Sequence, residues 1–306
     1  MAQGFGAMVL RCAAGIIAPL LLLLVVSGCS DAPGGQTEGA APPAPLVYEI
    51  ASADGSVEGW MVGTIHALPA SARWRTPAIE TAVTNADLLV VEIAALDNGA
   101  AIARTFAALA TSPGLPPIEQ RLPADLRPQL AALLLRGDFE EEDFAETETW
   151  AAALTLARVD AAGDPANGVD RALIADFKGR RVRELEGADA QLAIFDRLPE
   201  ATQRLMLAAV VQGSVAAAKD PERLQRAWLA GDATTIEAST REGVLADPGL
   251  REALLTARNR RWAGALVPLL AEAPRPLVAV GTAHLVGPDG LPALLEAQGY
   301  RIRRIS

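Results

Sequence analysis

Residues 277–290 read LVAVGTAHLVGPDG, and the reading of that phrase decides the fold. Leu277–Val280, with Val286 beyond, bracket a turn made of Gly281, Thr282, Ala283 and His284. A continuous apolar run bounded by a turn reads as a buried strand. The glycine at its end permits a sharp turn or the close approach of another backbone. The phrase recurs near the front of the chain, where Trp60-Met61-Val62 runs into Gly63-Thr64-Ile65-His66. His66 and His284 are the only two histidines, and each lies three residues after a glycine. Open α/β sheets place their sites just beyond strand C-termini. The two motifs therefore predict that His66 and His284 meet along one sheet edge.

The rest of the chain is read outward from these motifs. Leu46–Ile50 and Val57–Val62 flank Asp54-Gly55, which predicts a hairpin. Thr76 as cap and Pro77 at the first position start a helix that runs to about Ala86. Leu88–Val91 is a second buried strand, and it ends on Glu92. A carboxylate there is costly unless it is paired, ligating or wetted by a site. From about Asn98 to Leu270 the chain is Ala/Leu-rich and mostly helical, punctuated by Pro and Gly. A short strand, Arg181–Glu186, interrupts it and also ends on a carboxylate. The helix around Leu250–Leu270 carries Arg258, Asn259, Arg260 and Arg261. A strand over Leu277–Gly281, a helix over Leu291–Gln298 and a last strand over Tyr300–Ile305 complete the chain.

Composition narrows the function classes. The chain's 306 residues suffice for one large domain or two small ones. It is 51% hydrophobic but only 4% aromatic, so Ala, Leu and Val build the core. With 27 basic and 37 acidic residues the net charge is -10, and no basic stripe offers a surface to nucleic acid. The only cysteines, Cys12 and Cys29, lie near the N-terminus, which leaves no disulfide and no thiol nucleophile beyond them. Arg11 followed by the apolar run Ala13–Val26 reads as a targeting segment, too short for a membrane span of about 20 residues. It closes on Val26-Ser27-Gly28-Cys29, which resembles a bacterial lipobox with Cys29 as the lipidated residue. The expected organisation is a lipoprotein signal peptide over 1–29, a flexible linker over 30–45 and one domain over 46–306. The linker, rich in Gly, Pro and Ala, reaches roughly 50 Å when extended. This expectation places the domain in the cell envelope, lipid-anchored and facing the periplasm. Ser30 follows the cysteine, rather than Asp, and by resemblance to Gram-negative lipoproteins this implies the outer membrane over the inner.

Four strand ends thus carry polar groups: His66, Glu92, Glu186 and His284. Two imidazoles and a carboxylate suit a divalent metal such as Mn, Co or Zn. They equally suit a metal-free site with one histidine as general base and a glutamate orienting it. Plainer readings stand beside these. Glu186 pairs with the neighbouring Arg181 or Arg183; Arg258 and Asn259 form a polar helix face or bind an anion; Thr64 and Thr282 cap turns or donate to a substrate oxygen. Asp170 caps a helix after Asn167-Gly168-Val169, and Trp228 and Trp262 fill core. No Gly-x-Ser-x-Gly elbow, phosphate loop, dinucleotide fingerprint or short HExxH motif is present.

Seven blocks carry a family resemblance: WMVGTIHALP at 60–69, ADLLVVEI at 86–93, NGVDRAL at 167–173, GRRVRELEGADAQL at 179–192, AWLAGD at 227–232, ARNRRWA at 257–263 and VAVGTAHLVGPDGLPALLEAQGYRI at 278–302. Together they resemble the TraB/GumN family, which includes Tiki-type proteases and is similar to erythromycin-esterase-like and ChaN-like proteins. The resemblance implies an α/β (α+β) fold, with a central mixed sheet built from the N- and C-terminal halves and a large inserted helical region. It implies metal-dependent proteolysis, with His66, His284 and Glu92 on the ion, or ester hydrolysis without a clear metal requirement. The catalytic set expected here is His66, Glu92, His284, Glu186 and Arg258, with Glu92 or Glu186 as ligand or base and Arg258 steadying an anion. The substrate is a peptide or an ester. The rival expectation, from the ChaN-like resemblance, is a non-catalytic envelope lipoprotein that binds haem, a metal or a partner.

Overall fold

Six strands form one mixed sheet in the computed structural model, which describes residues 42–272 and 274–306. The expected signal segment, Cys29 and the linker up to residue 41 lie outside the described residues. The strands are β1 (Val47–Ala51), β2 (Val57–Thr64), β3 (Leu88–Val91), β4 (Arg181–Glu184), β5 (Pro276–Gly281) and β6 (Arg301–Arg304). Their order across the sheet is β4-β3-β5-β2-β1-β6. β4, β3, β5 and β2 run parallel to their neighbours, β1 returns antiparallel to β2 through the Asp54-Gly55 hairpin, and β6 lies antiparallel on β1. The sheet therefore interleaves strands from both ends of the chain, as expected for the mixed α/β class.

Side-chain pattern explains the order. β3 (LLVV) and β5 (PLVAVG) are buried at every residue, as strands covered on both faces must be. The two edge strands, β4 (RVRE) and β6 (RIRR), instead expose arginines. Charge on an edge discourages pairing with another chain. The register then aligns the parallel strand ends. Thr64 of β2 lies opposite Gly281 of β5, and Val91 of β3 lies opposite Ala279 of β5 and Glu184 of β4. Just past these ends come His66, His284, Glu92 and Glu186.

The helices are α1 (Pro77–Asn85), α2 (Gly99–Leu109), α3 (Arg127–Arg136), α4 (Thr149–Leu156), α5 (Val169–Asp176), α6 (Ala188–Asp196), α7 (Glu200–Ala217), α8 (Arg223–Ala230), α9 (Ala233–Ser239), α10 (Pro248–Arg251), α11 (Ala257–Leu270) and α12 (Leu291–Glu296). α1 starts as its sequence predicts, with the Thr76 hydroxyl accepting from the Ile79 N–H and Pro77 in the first turn. On one sheet face Ile79 and Ala82 of α1, Val169 and Leu173 of α5 and Trp228 of α8 pack on Val62, Leu89 and Leu277. On the other, Trp262 and Leu266 of α11 and Leu291 and Leu295 of α12 cover Met61, Val90, Val278 and Val280. The inserted helices build a separate core around Phe144, Trp150, Phe195 and Met206. The helix expected over Leu250–Leu270 is not uniform: α10 passes through a π-helical turn, Glu252–Thr256, before α11 begins. A π-helical turn changes the direction in which the next helical residues point, and such turns are common at functional sites. Arg258 and Asn259 are among the residues redirected in this way.

Close approach between β2 and the turn after β5 fixes the first motif glycine. A Cβ on Gly63 would lie 2.6 Å from the Thr282 hydroxyl oxygen. Gly63→Ala should cost about 1–3 kcal/mol, as overpacking does. Gly264, on the exposed side of α11, has nothing within 4 Å of such a Cβ. Gly264→Ala should stabilise by about 0.5–1 kcal/mol through helix propensity. Urea unfolding midpoints of the two variants should move in opposite directions.

Candidate active site

The four parallel strand ends deliver two histidines and two glutamates to one place. A Cβ on Gly281 would sit 3.3 Å from Glu92 Oε1, 3.7 Å from His284 Cδ2 and 3.9 Å from His66 Nε2. His66, Glu92 and His284 thus converge on the backbone of the second motif glycine. The Gly281 N–H itself donates to Glu92 Oε1 at 2.8 Å. Trp228, expected only as core, also positions the site: its indole N–H donates to the Gly63 carbonyl at 2.8 Å and pins the first motif.

His66 is backed by a carboxylate. Its Nδ1–H donates to Asp170 Oδ2 at 2.6 Å, and the Thr64 hydroxyl donates to Asp170 Oδ1 at 2.6 Å. Asp170 reaches the ring because the Val169 N–H bonds the Ile65 carbonyl at 2.9 Å, which ties the start of α5 to the first motif. The sequence reading of Asp170 as a helix cap is corrected here, since its carboxylate orients the imidazole instead. That bond places the proton on Nδ1 and leaves the Nε2 lone pair for chemistry. Burial alone would depress the imidazole, but the Asp170 charge and hydrogen bond, with the Glu92 charge, outweigh it and hold the His66 pKa above its ordinary value. Asp170 is opposed by its own burial, yet the His66 charge and hydrogen bonds from His66 and Thr64 hold it below the usual carboxylate value.

His284 is set differently. The Asn259 side-chain N–H donates to the Asp289 carbonyl at 2.8 Å, so its oxygen turns to the His284 ring and accepts from Nδ1–H. Nε2 of His284 is then an acceptor and faces Arg258 Nη1 at 3.4 Å. Burial, the Arg258 charge and His66 hold the His284 pKa well below its ordinary value. The ring packs against Trp262, with centroids 4.4 Å apart.

Arg258 joins the two carboxylates. Its Nη2 donates to Glu92 Oε2 at 2.9 Å and to Glu186 Oε2 at 2.7 Å, while Nε donates to both oxygens of Glu186 at 3.1 and 3.0 Å. Nη1 also bonds the Leu254 carbonyl, within the π-helical turn, at 3.2 Å. Arg258 is 2% exposed, which overturns its reading as a polar helix face. Gln191, which carried no expectation, donates to Glu92 Oε2 at 3.0 Å. Arg261 adds a contact to Glu186 at 3.1 Å, whereas Arg181 and Arg183 lie on the edge strand and stay exposed.

All five expected catalytic residues therefore fall in one connected cluster, and sequence reasoning missed the roles of Asp170, Asn259 and Gln191. The NGVD and ARN blocks that carry Asp170 and Asn259 were the available signal. Tested against a divalent ion, the donors do not fit as arranged. Both oxygens of Glu92 are engaged by protein donors, and a guanidinium faces the one free nitrogen of His284. A cation already occupies the position between Glu92 and His284. Among the described residues no group of three or more His, Cys, Asp or Glu side chains is arranged to hold a metal.

A cavity of about 530 Å³ opens beside the cluster, and of the five expected residues only His66 lines it. A family model described as the TraB/PrgY/gumN family matches residues 46–304. The chain belongs to that family. No curated protein and no solved structure matches the chain. In this family member the two Gly-x-x-His motifs are sequence repeats with opposite electrostatics: one imidazole is backed by an acid, the other by an amide and a guanidinium.

The contrast is measurable by NMR, because the chain has only two imidazoles. One should titrate above about 6.5, and the other should stay neutral well below it. Asp170→Asn removes the charge that outweighs burial, so the His66 titration should fall below that of a free imidazole while His284 stays unprotonated. The raised His66 pKa means its pair with Asp170 adds stability that is complete below the unfolded-state value and is lost as pH rises through the folded-state one. For His284 the sign is reversed, and its burial costs stability as pH falls below about 6.5.

Proposed function

We propose that this protein is a hydrolase of the cell envelope, tethered to the membrane by a lipid on Cys29, which cleaves a peptide or ester by water attack. The observation that carries the reading is the contrast between the two imidazoles: His66, 9% exposed, is among the residues lining the cavity and is backed by a buried carboxylate, while His284 is fully buried and lines no part of it. In this reading His66 Nε2 takes a proton from water as the water oxygen attacks the substrate carbonyl carbon. Asp170 holds the imidazolium that forms, and Glu92 adds a second negative charge nearby. When the tetrahedral adduct collapses, the Nε2 proton passes to the leaving oxygen or nitrogen, which restores the neutral ring. Arg258, itself held by Glu186, is buried behind this step and keeps Glu92 fixed together with Gln191 and the Gly281 N–H. General-base catalysis of this kind contributes about 10²–10⁴-fold.

The tether rests on the sequence: the apolar segment, the lipobox form around Cys29 and Ser30 after it support a periplasm-facing lipoprotein, with the outer membrane favoured. Incorporation of labelled palmitate into the full chain should be lost in Cys29→Ala and kept in Ser30→Ala.

The activity is tested on the full chain with activated esters and apolar peptide anilides, with and without a strong chelator. Turnover should resist chelation, rise with pH through the His66 titration and fall about 10²–10⁴-fold in His66→Ala. Near-stoichiometric Mn, Co or Zn by mass spectrometry, lost in both His66→Ala and His284→Ala, would replace this reading with the metallohydrolase. A haem Soret band that depends on either histidine, with no turnover, would favour the binding lipoprotein.

A further inference from the structure

The cavity beside His66 has a composition that restricts its occupant. It runs from His66 and Ala67 between the end of α4 and the middle of α7, and closes against α8 and residues 242–244. Its walls include Leu156, Ala209, Val210, Gly213, Leu224 and Val244. Ala209 and Gly213 lie one turn apart on α7, and their lack of bulk leaves the space open. At about 530 Å³ it has the size of a small-molecule pocket.

Most polar side chains along the wall are already engaged, and Lys219, which also lines the cavity, is exposed to solvent. The Gln225 side-chain amide donates to the Ala67 carbonyl at 3.1 Å and the Ala162 carbonyl at 2.9 Å. The Ser214 hydroxyl donates to the Val211 carbonyl of its own helix at 2.9 Å. Asp160 is paired with Arg136 at 2.9 Å, Arg223 with Glu242 at 2.6 Å, and Asp220 with Arg226. A peptide strand entering here would bring N–H and C=O groups that need partners. A saturated chain needs none.

We propose that this cavity is the acyl pocket of the hydrolase and takes a medium-length saturated acyl chain whose carbonyl rests at His66. The proposal rests on the hydrolytic reading above and names the substrate class for that site: an acyl ester, with the chain inward and the leaving group toward solvent.

The test uses the full chain and two independent readouts. For hydrolysis, p-nitrophenyl acetate, butyrate and octanoate are compared in the wild type and Gly213→Leu. In the wild type kcat/KM should rise about fourfold for each methylene the cavity buries. In Gly213→Leu the rise from butyrate to octanoate should be abolished. For binding, calorimetric titration with sodium octanoate should show uptake by the wild type and none by Gly213→Leu. Ala209→Leu fills the same space from the previous turn and should repeat both effects if Gly213→Leu does not fold. Octanoate binding that the variants remove, without turnover of any ester, would sustain the pocket and sink the hydrolytic reading alone. Rates that ignore chain length, with no octanoate bound, would overturn the pocket even if acetate is cleaved. A strong preference for an apolar peptide anilide over every ester would overturn the acyl assignment.

Discussion

A single buried guanidinium organises this site. Arg258 donates to Glu92 and Glu186 at once and faces the lone pair of His284. Each of those three groups comes from a different strand end, so the arginine links β3, β4 and the turn after β5. It arrives from α11, which hangs on a π-helical turn whose Leu254 carbonyl bonds the same guanidinium. Behind it, Arg251 and Thr256 hold the Asp289 carboxylate, and the Asp289 carbonyl holds Asn259. The loop after His284 is thereby clamped to the helix that aims Arg258.

This cluster gives two identical motifs different tasks. Both strands end in Gly-Thr-x-His, and the parallel register sets Thr64 beside Gly281. The partner of Nδ1 separates the two histidines. An aspartate beside His66 favours its charged form, whereas an asparagine beside His284 offers no charge and the Arg258 cation opposes one. Environments that push two like groups apart in pKa suit them to different protonation states. In the proposed reading His66 is the one that takes a proton; Nε2 of the fully buried His284 is a neutral acceptor facing Arg258.

Much of this was legible in the chain. The apolar runs ending in His66, Glu92 and His284 and the short alternating stretch ending in Glu186 gave strand identity, and the parallel reading put their ends on one edge. The hairpin at Asp54-Gly55 and the cap at Thr76 came from local chemistry that needs no tertiary information. The hidden part is long-range. Asp170 lies 104 positions from the ring it orients, and a lone Asp at a helix start has a local explanation that is usually sufficient. Arg258 sits among other arginines, where an exposed face is the ordinary reading; in the fold it is buried and bonds the Leu254 carbonyl of the π-helical turn. Gln191 reaches Glu92 across 99 positions; it lies in the GRRVRELEGADAQL block, but nothing in that block says which partner its amide takes.

Stability alone gives no reason to keep such a cluster. Moving a guanidinium and two carboxylates out of water carries a desolvation cost that their attraction repays only with close geometry and further hydrogen bonds, and well-packed apolar replacements are often as stable. Here the further bonds exist: Gly281 and Gln191 on Glu92, Arg261 on Glu186, and the Leu254 carbonyl on Arg258. They hold one carboxylate, Glu92, at a fixed place beside Gly281, where His66 Nε2 also converges. An apolar core in the same volume would pack the sheet edge equally well, but it would remove the negative charge beside the imidazolium that forms as a proton is taken. The cluster is therefore better understood as a rigid source of field for His66 than as a device that holds the domain together.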